Sequence, residues 1–313
     1  MKFAATNSHH QRILTVLPKS EIQAMISLID DPDEKVYRQI RAKLLSYGEE
    51  VIPILEDFWE HNNYGLTFQH RIENIIHQIQ FDSVRVGLER WSENGGNNLL
   101  EGVILVNRYQ YPDLDVEKIY KKLGQLKQDI WIELNENLTS FEEIRVVNHI
   151  LFDIHGFNAN KKNYHSASNS YLHLVLETGN GNPLSLSIIY ILVCEMLGIP
   201  VYGVNLPNHF VLCYQDESNI MKKFNMAKYG KDVMFYINAF SRGTIFNGKE
   251  IEMFLKQINV EPQESFFVAC DNFTIIKRLI ANLIYSYEKS GELDKVTELN
   301  MLMDCLGYRS LSS

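Results

Sequence analysis

Hydrophobic and polar positions in the first third of the chain alternate with a helical period. Ile22, Met25, Ile26 and Ile29 share one face, and the pattern breaks at Asp30-Asp31-Pro32-Asp33. A turn that places Pro and carboxylates at the start of the next element predicts a second helix there. Val36, Ile40, Leu44 and Leu45 give that helix its apolar face, which Gly48 closes. Val51, Ile54, Leu55 and Phe58 predict a third helix, and Ile72, Ile75, Ile76 and Ile79 a fourth. Ser92 to Asn98, with Gly95-Gly96 at its centre, reads as a linker.

Helices are predicted again over 99–106, 115–136 and 140–153, the last opened by a capping box of Ser140 with Glu143. The stretch 156–170, rich in Asn and Lys, reads as a loop, and Tyr171 to Leu176 as a short helical turn. From Pro183 to Leu197 apolar residues leave almost no polar face, so this helix is expected to be packed on most sides. Strands are predicted at 200–205, 209–215 and 233–237. From Asn272 two helices follow, joined by Lys289-Ser290-Gly291-Glu292. The expected division is a helical region 1–95, a core 96–265 and a helical pair 266–313. The first region resembles HEAT-type repeats, or equally an irregular bundle. The last resembles a tetratricopeptide-like hairpin that caps the core.

Composition narrows the class. The chain has 313 residues, 45% hydrophobic and 22% charged, as in an ordinary globular protein. A net charge of −9, with no long Lys/Arg cluster, argues against a nucleic-acid partner. The first residues lack the apolar run of a signal peptide, and no stretch is apolar for long enough to span a bilayer. Cys194, Cys213, Cys270 and Cys305 form no CxxC pair and point to a reduced cytoplasmic setting. No cofactor is called for. Metal binding is not expected either: His9-His10, His149 and His155 lack partners at ligand spacing.

The chemistry concentrates between Asn148 and Tyr214. Gly181-Asn182-Pro183 opens the apolar helix, Gly198-Ile199-Pro200 stops it, a strand follows, and Leu206-Pro207-Asn208-His209-Phe210 places a histidine at the head of the next strand. With Asn148-His149, Gly156-Phe157, Asn169-Ser170-Tyr171-Leu172, Ser185-Leu186-Ser187 and Gly203-Val204, this order resembles the SirB-type branch of the transglutaminase-like superfamily. The resemblance implies an α+β, papain/transglutaminase-like core in which a helix packs on an antiparallel sheet, with a tetratricopeptide-like extension behind it. His209 and the residue at Asn238 then fall on adjacent antiparallel strands beside the helix N-terminus.

The nucleophile position of the wider superfamily falls on Pro183, which has no nucleophilic atom. Proline is instead a good first helical residue, and Asn182 a good N-cap. Asn238 stands where a triad would carry Asp; it can orient an imidazole but cannot stabilise imidazolium by charge. Asn208 stands where the family has Gly. Ser185 is either a replacement nucleophile or a hydroxyl that satisfies local backbone. Cys194 is about 16 Å along the helix from Pro183, Cys213 about 13 Å along the strand from His209, and both read as packing. The degenerate triad positions are therefore Ser185, His209 and Asn238, with Asn169, Tyr171, Asn182, Pro183 and Asn208 as cleft candidates. Asn169, Tyr171 and Asn182 equally suit a buried loop backbone. The expectation is a non-catalytic binding or scaffolding module with a protein or peptide partner. A hydrolase or acyltransferase using Ser185, His209 and Asn238 is the alternative, and a helical-repeat adaptor the third.

Overall fold

The computed structural model describes residues 19–61, 65–215, 230 and 232–307. The chain divides at Ser83/Val84 into two compact units.

Helices α1 (Lys19–Ser27), α2 (Glu34–Ser46) and α3 (Ile52–His61) precede α4 (Leu66–Glu93), within which the division falls. Asp33 caps α2, its carboxylate accepting the Lys35 amide at 2.8 Å. The apolar faces meet in one cluster, with Ile22 and Ile26, Leu44, Val51 and Leu55, and Phe68 and Ile72 fully buried. Arg71 ties the acidic turn down. Its guanidinium donates to the Ile29 and Asp31 carbonyls at 2.7 and 3.0 Å and to Glu34 at 2.7 Å, and it lies 4.1 Å from the centre of the Tyr37 ring.

The second unit is α+β. Helices α5 (Leu99–Gln110), α6 (Val116–Glu133) and α7 (Ser140–Asn148) lead into it. The capping box of α7 sits one residue before the expected position: Thr139 is the N-cap and Glu142 its partner. Thr139-Ser140-Phe141-Glu142-Glu143 satisfies the motif in two registers. The carboxylate of Glu143 is taken by the Tyr214 hydroxyl at 3.0 Å, which leaves Glu142 for the cap. The helix also ends earlier than expected, widening into a π-turn over His149–Ile154.

A parallel pair of two-residue strands, β1 (Asn158–Ala159) and β2 (Asn180–Gly181), brackets α8 (Leu172–Thr178). Next comes α9 (Pro183–Leu197), buried from Pro183 through Cys194 and stopped by Gly198 in the left-handed region. Its cover is an antiparallel sheet of β3 (Val201–Leu206), β4 (His209–Gln215), β5 (Val233–Asn238) and β6 (Thr244–Phe246), in that order. Alternation decides which side chains face which layer. Val204, Leu206, Val211 and Cys213 cluster with Ile251 and Leu255 of α10 (Gly248–Gln257), so the sheet is covered on this face too. The helical pair α11 (Asn272–Ser290) and α12 (Leu293–Cys305) completes the unit, and α11 packs on α5 and α9. Asn272 of α11 also donates to the Gly96 and Asn97 carbonyls, fixing the glycine turn after α4.

Leu206 pairs with His209, so Pro207-Asn208 alone connects β3 to β4. Proline sets the first φ near −65°, and Asn208 follows at φ 57, the sequence of a type II turn. Asparagine tolerates this left-handed position because its short amide meets no clash there. Asn208→Gly should therefore change stability by less than about 0.5 kcal/mol, and Asn208→Val should lower it by about 2 kcal/mol. Urea unfolding of the two variants checks this, and equal stabilities would refute the turn assignment.

Candidate functional site

Three chain segments meet at the start of α9. Asn182 is the N-cap: its Oδ1 accepts the Ser185 amide at 2.9 Å, and its own backbone N–H donates to Ser185 Oγ at 3.0 Å. The box is closed from behind, because Asn182 Nδ2 donates to Ser170 Oγ at 3.0 Å. The Ser185 hydroxyl donates in turn to the Asn182 carbonyl at 3.3 Å. Ser185 is 1% exposed and is not among the residues lining the adjoining cavity. Leu184, one residue earlier, lines it instead. The apolar helix is rotated so that its capping hydroxyl bonds the Asn182 backbone. Ser187 is spent in the same way, on the Pro183 carbonyl at 2.7 Å.

His209 and Asn238 do meet, at the paired ends of β4 and β5, with 3.4 Å between His209 Nε2 and Asn238 Nδ2. Which end of the Asn238 amide faces the ring is fixed by a third group. Asn238 Oδ1 caps the turn 239–241 by accepting the Ser241 N–H at 3.2 Å. An N–H cannot face an amide NH2, so Asn238 donates to His209 and the proton of the neutral ring sits on Nδ1. In a working triad the hydrogen bond runs the other way, from imidazole to the orienting residue. Here Nδ1–H is a donor, and the ring presents no basic nitrogen on that side.

The cavity holds about 430 Å³. The α9 start supplies Asn182, Pro183 and Leu184, and the β3–β4 turn supplies Asn208 and His209. The far wall is α11, with Arg278, Asn282 and Tyr285. These α11 residues were not identified from the sequence. Their signal is a polar stripe at helical spacing on an otherwise apolar helix, which marks a face turned to something other than the core.

Asn169 and Tyr171 do not line the cavity, which corrects their assignment as cleft residues. Asn169, 1% exposed, donates to the Asn163 and Tyr164 carbonyls at 2.7 and 3.1 Å and accepts from Asn160 at 2.8 Å. It organises the 160–169 loop. The Tyr171 hydroxyl is buried against that of Tyr287 at 2.8 Å, which donates on to Gln110 at 3.1 Å. A second cavity of about 720 Å³ opens between the α5–α6 connection and α8, lined by Tyr111, Asp113, Lys118, Lys122, His173 and Glu177. None of the sequence candidates reaches it.

No cysteine is placed to act at the α9 start. Cys194 is fully buried and its thiol is pushed far up by that burial. Burial likewise pushes Cys213 and Cys270 up to about 12. His149 pairs with Asp153 at 3.1 Å and His155 with Asp129 at 2.7 Å. Among the described residues no group of three or more His, Cys, Asp or Glu could hold a metal ion; His9 and His10 lie outside them. No helix among the described residues is long and apolar enough to cross a membrane.

Burial lowers the proton affinity of His209, and the Arg278 charge lowers it further. Burial also lowers His173, against a smaller opposing pull from Glu177. Both rings therefore bind protons more weakly folded than unfolded. Their contribution to stability is fully present above the unfolded value of about 6.5 and is lost as pH falls below it. The unfolding midpoint should fall between about pH 7.5 and pH 5, and fall less in a His209→Gln/His173→Gln double variant. Identical pH slopes in the two proteins would contradict the assignment.

A family model described as the transglutaminase-like superfamily matches residues 117–281, a little over half the chain. F-box only protein 21 from Mus musculus is 24% identical over 258 residues, covering 72% of this chain and 39% of that protein. A UPF0162 protein from Xylella fastidiosa (strain Temecula1) is 36% identical over 130 residues, covering 41% of this chain and 46% of the relative. A UPF0162 protein from Vibrio cholerae is 22% identical over 190 residues, covering 59% and 64%. The chain thus spans about two fifths of F-box only protein 21 and under half of the Xylella protein. No solved structure matches the chain significantly.

Proposed function

The chain belongs to the transglutaminase-like superfamily, and from that premise we propose that it is a binding or scaffolding module whose cleft holds a ligand without turning it over. The observation that carries this reading is the reciprocal capping box of Asn182 and Ser185, which consumes the first-turn hydroxyl that could have replaced the missing nucleophile. A serine acts as a nucleophile when an adjacent base takes its proton. His209 is bonded to Asn238 through the nitrogen that would be oriented, and no described cysteine replaces Ser185. Proline at 183 is compatible with starting a helix and with nothing chemical.

Within the superfamily we place the chain in the SirB-type branch, with α11 and α12 as a tetratricopeptide-like extension. Support comes from the motifs of 148–210 and from a helical pair whose first helix forms one cleft wall. A protein or peptide partner in a reducing, cytoplasmic setting fits the unpaired cysteines and the recurrence of the segment within the larger F-box only protein 21.

The test is covalent labelling of the native protein with a fluorophosphonate and with iodoacetamide, read by intact mass. Neither reagent should modify a cleft residue, and p-nitrophenyl acetate should be hydrolysed no faster than by the Ser185→Ala variant. Stoichiometric phosphonylation at Ser185, or ester turnover lost in Ser185→Ala, would establish the hydrolase instead.

A further inference from the structure

Arg278 brings a positive charge into the cleft that no described residue neutralises. No Asp, Glu or Lys is among the described residues lining the cavity, so Arg278 is the one fully charged group there. Its guanidinium makes a long 3.4 Å hydrogen bond to the neutral Asn205 Oδ1, and no carboxylate among the described residues pairs with it. Arginine stays protonated in proteins, so a full charge lies half-buried at the cavity wall. That arrangement is costly unless a counter-charge arrives. In a chain of net charge −9, leaving this cation unpaired is the more informative.

Three residues with neutral donors line the same space. His209 offers Nδ1–H, since Nε2 faces the Asn238 amide. The Leu184 amide, at the second helical position, has no hydrogen bond among the described residues, whereas that of Ser185 is capped. Tyr164 lines the cavity and is close enough to Arg278 to act on its charge. A cavity of about 430 Å³ is in the range that takes one or two residues rather than a folded surface.

We propose that this cleft binds a carboxylate, forked on the Arg278 guanidinium and bonded by His209 Nδ1–H, on an amino-acid-sized body. The proposal rests on the reading of the cleft as a binding site and names the chemical class of what it binds. A planar monoanion matches a single guanidinium fork in both charge and shape. A phosphate dianion or a polyanion would need further cations, and no Lys or second Arg is among the described residues lining the cleft. The carboxylate belongs either to a free acylated amino acid or to the terminus of a peptide; both present the same group to Arg278.

The experiment titrates the full chain with N-acetyl-alanine, acetyl-trialanine acid and acetyl-trialanine amide, using calorimetry and the His209 ring resonances. The acids should bind at least about tenfold more tightly than the amide. Arg278→Gln should erase that preference, and Arg278→Lys should keep part of it, since charge survives without the fork. The melting temperature of Arg278→Gln should equal or exceed that of the parent chain, because a half-buried cation with no carboxylate partner among the described residues is removed; a structural arginine would lower it. A tripeptide acid that binds more tightly than N-acetyl-alanine identifies a chain terminus as the source, and equal affinities a small molecule. Acid preference that survives Arg278→Gln, or no binding of either acid, overturns the proposal. Equal binding of acid and amide with a shifted His209 signal overturns the carboxylate assignment and leaves the binding cleft intact. Hydrolysis products in the mixture would instead overturn the non-catalytic reading.

Discussion

Gly243→Ala is expected to lower the unfolding free energy by about 3–5 kcal/mol, a large part of what a domain of ordinary stability has. Two costs add. Gly243 sits at φ 74, where any side chain is strained, at about 1 kcal/mol or more. A Cβ there would also overlap the side-chain amide of Asn148, and that amide cannot step aside freely. Asn148 Nδ2 donates to the Gly243 carbonyl at 2.8 Å, while Asn148 Oδ1 accepts the hydroxyl of the buried Tyr190 at 3.0 Å. The close approach therefore fastens the end of α7 to the turn after β5, with Tyr190 of α9 as the third member. The same turn closes through the Gly243 N–H on the Asn238 carbonyl at 2.9 Å, so the variant should also shift the His209 ring resonances. In an Asn148→Ala background the Gly243→Ala penalty should shrink by about 2–3 kcal/mol, leaving mainly the backbone strain. Chemical denaturation of the four proteins gives the cycle. Additive losses would mean that the two sites do not press on each other.

The helix 183–197 is legible in the sequence because every signal agrees: Asn then Pro at its start, nearly continuous apolar content, and Gly-Ile-Pro after its end. Its N-cap, its burial and its antiparallel cover all follow from those residues. The α7 region shows where pattern alone falls short. Thr139 and Ser140 each have a glutamate three residues on, and the Tyr214 hydroxyl, 71 positions further along the chain, takes the second of these glutamates. The π-turn at 149–154 was unreadable for a related reason, since Ile150, Leu151 and Phe152 bury equally well in either winding.

The candidate site divides along the same line. That His209 and Asn238 meet could be read from strand order. The direction of their hydrogen bond could not, because it depends on the Ser241 amide holding the far end of Asn238. Asn169 and Tyr171 are polar residues whose partners, Asn160, the 163–164 carbonyls and Tyr287, exist only once the loop and α11 are in place. Arg278 lies on a helix whose apolar positions dominate its pattern. A lone arginine on such a helix reads as a solvated group until the opposite wall of the cleft is known.

Ser185→Ala should destabilise the protein, and the sign of that change separates the two readings of this serine. A nucleophile held in a cleft is commonly a strained residue, and its removal tends to raise stability at the expense of activity. A capping serine does the reverse. Ser185→Ala strips the acceptor from the buried Asn182 N–H, at about 1–3 kcal/mol. Asn182→Ala removes the acceptor of the Ser185 amide and the donor to Ser170, at about 2–3 kcal/mol for the cap and the buried hydroxyl together. Because each side chain serves the other's backbone, the double variant should cost less than the sum of the singles by about 1 kcal/mol. Two further readouts keep the cycle from reporting on folding alone. Ser185→Ala should leave carboxylate binding within about twofold of the parent chain, since Ser185 does not line the cavity, whereas Asn182→Ala should weaken it through the loosened α9 start. A Ser185→Ala protein more stable than its parent would reverse the assignment and return Ser185 to the list of reactive groups.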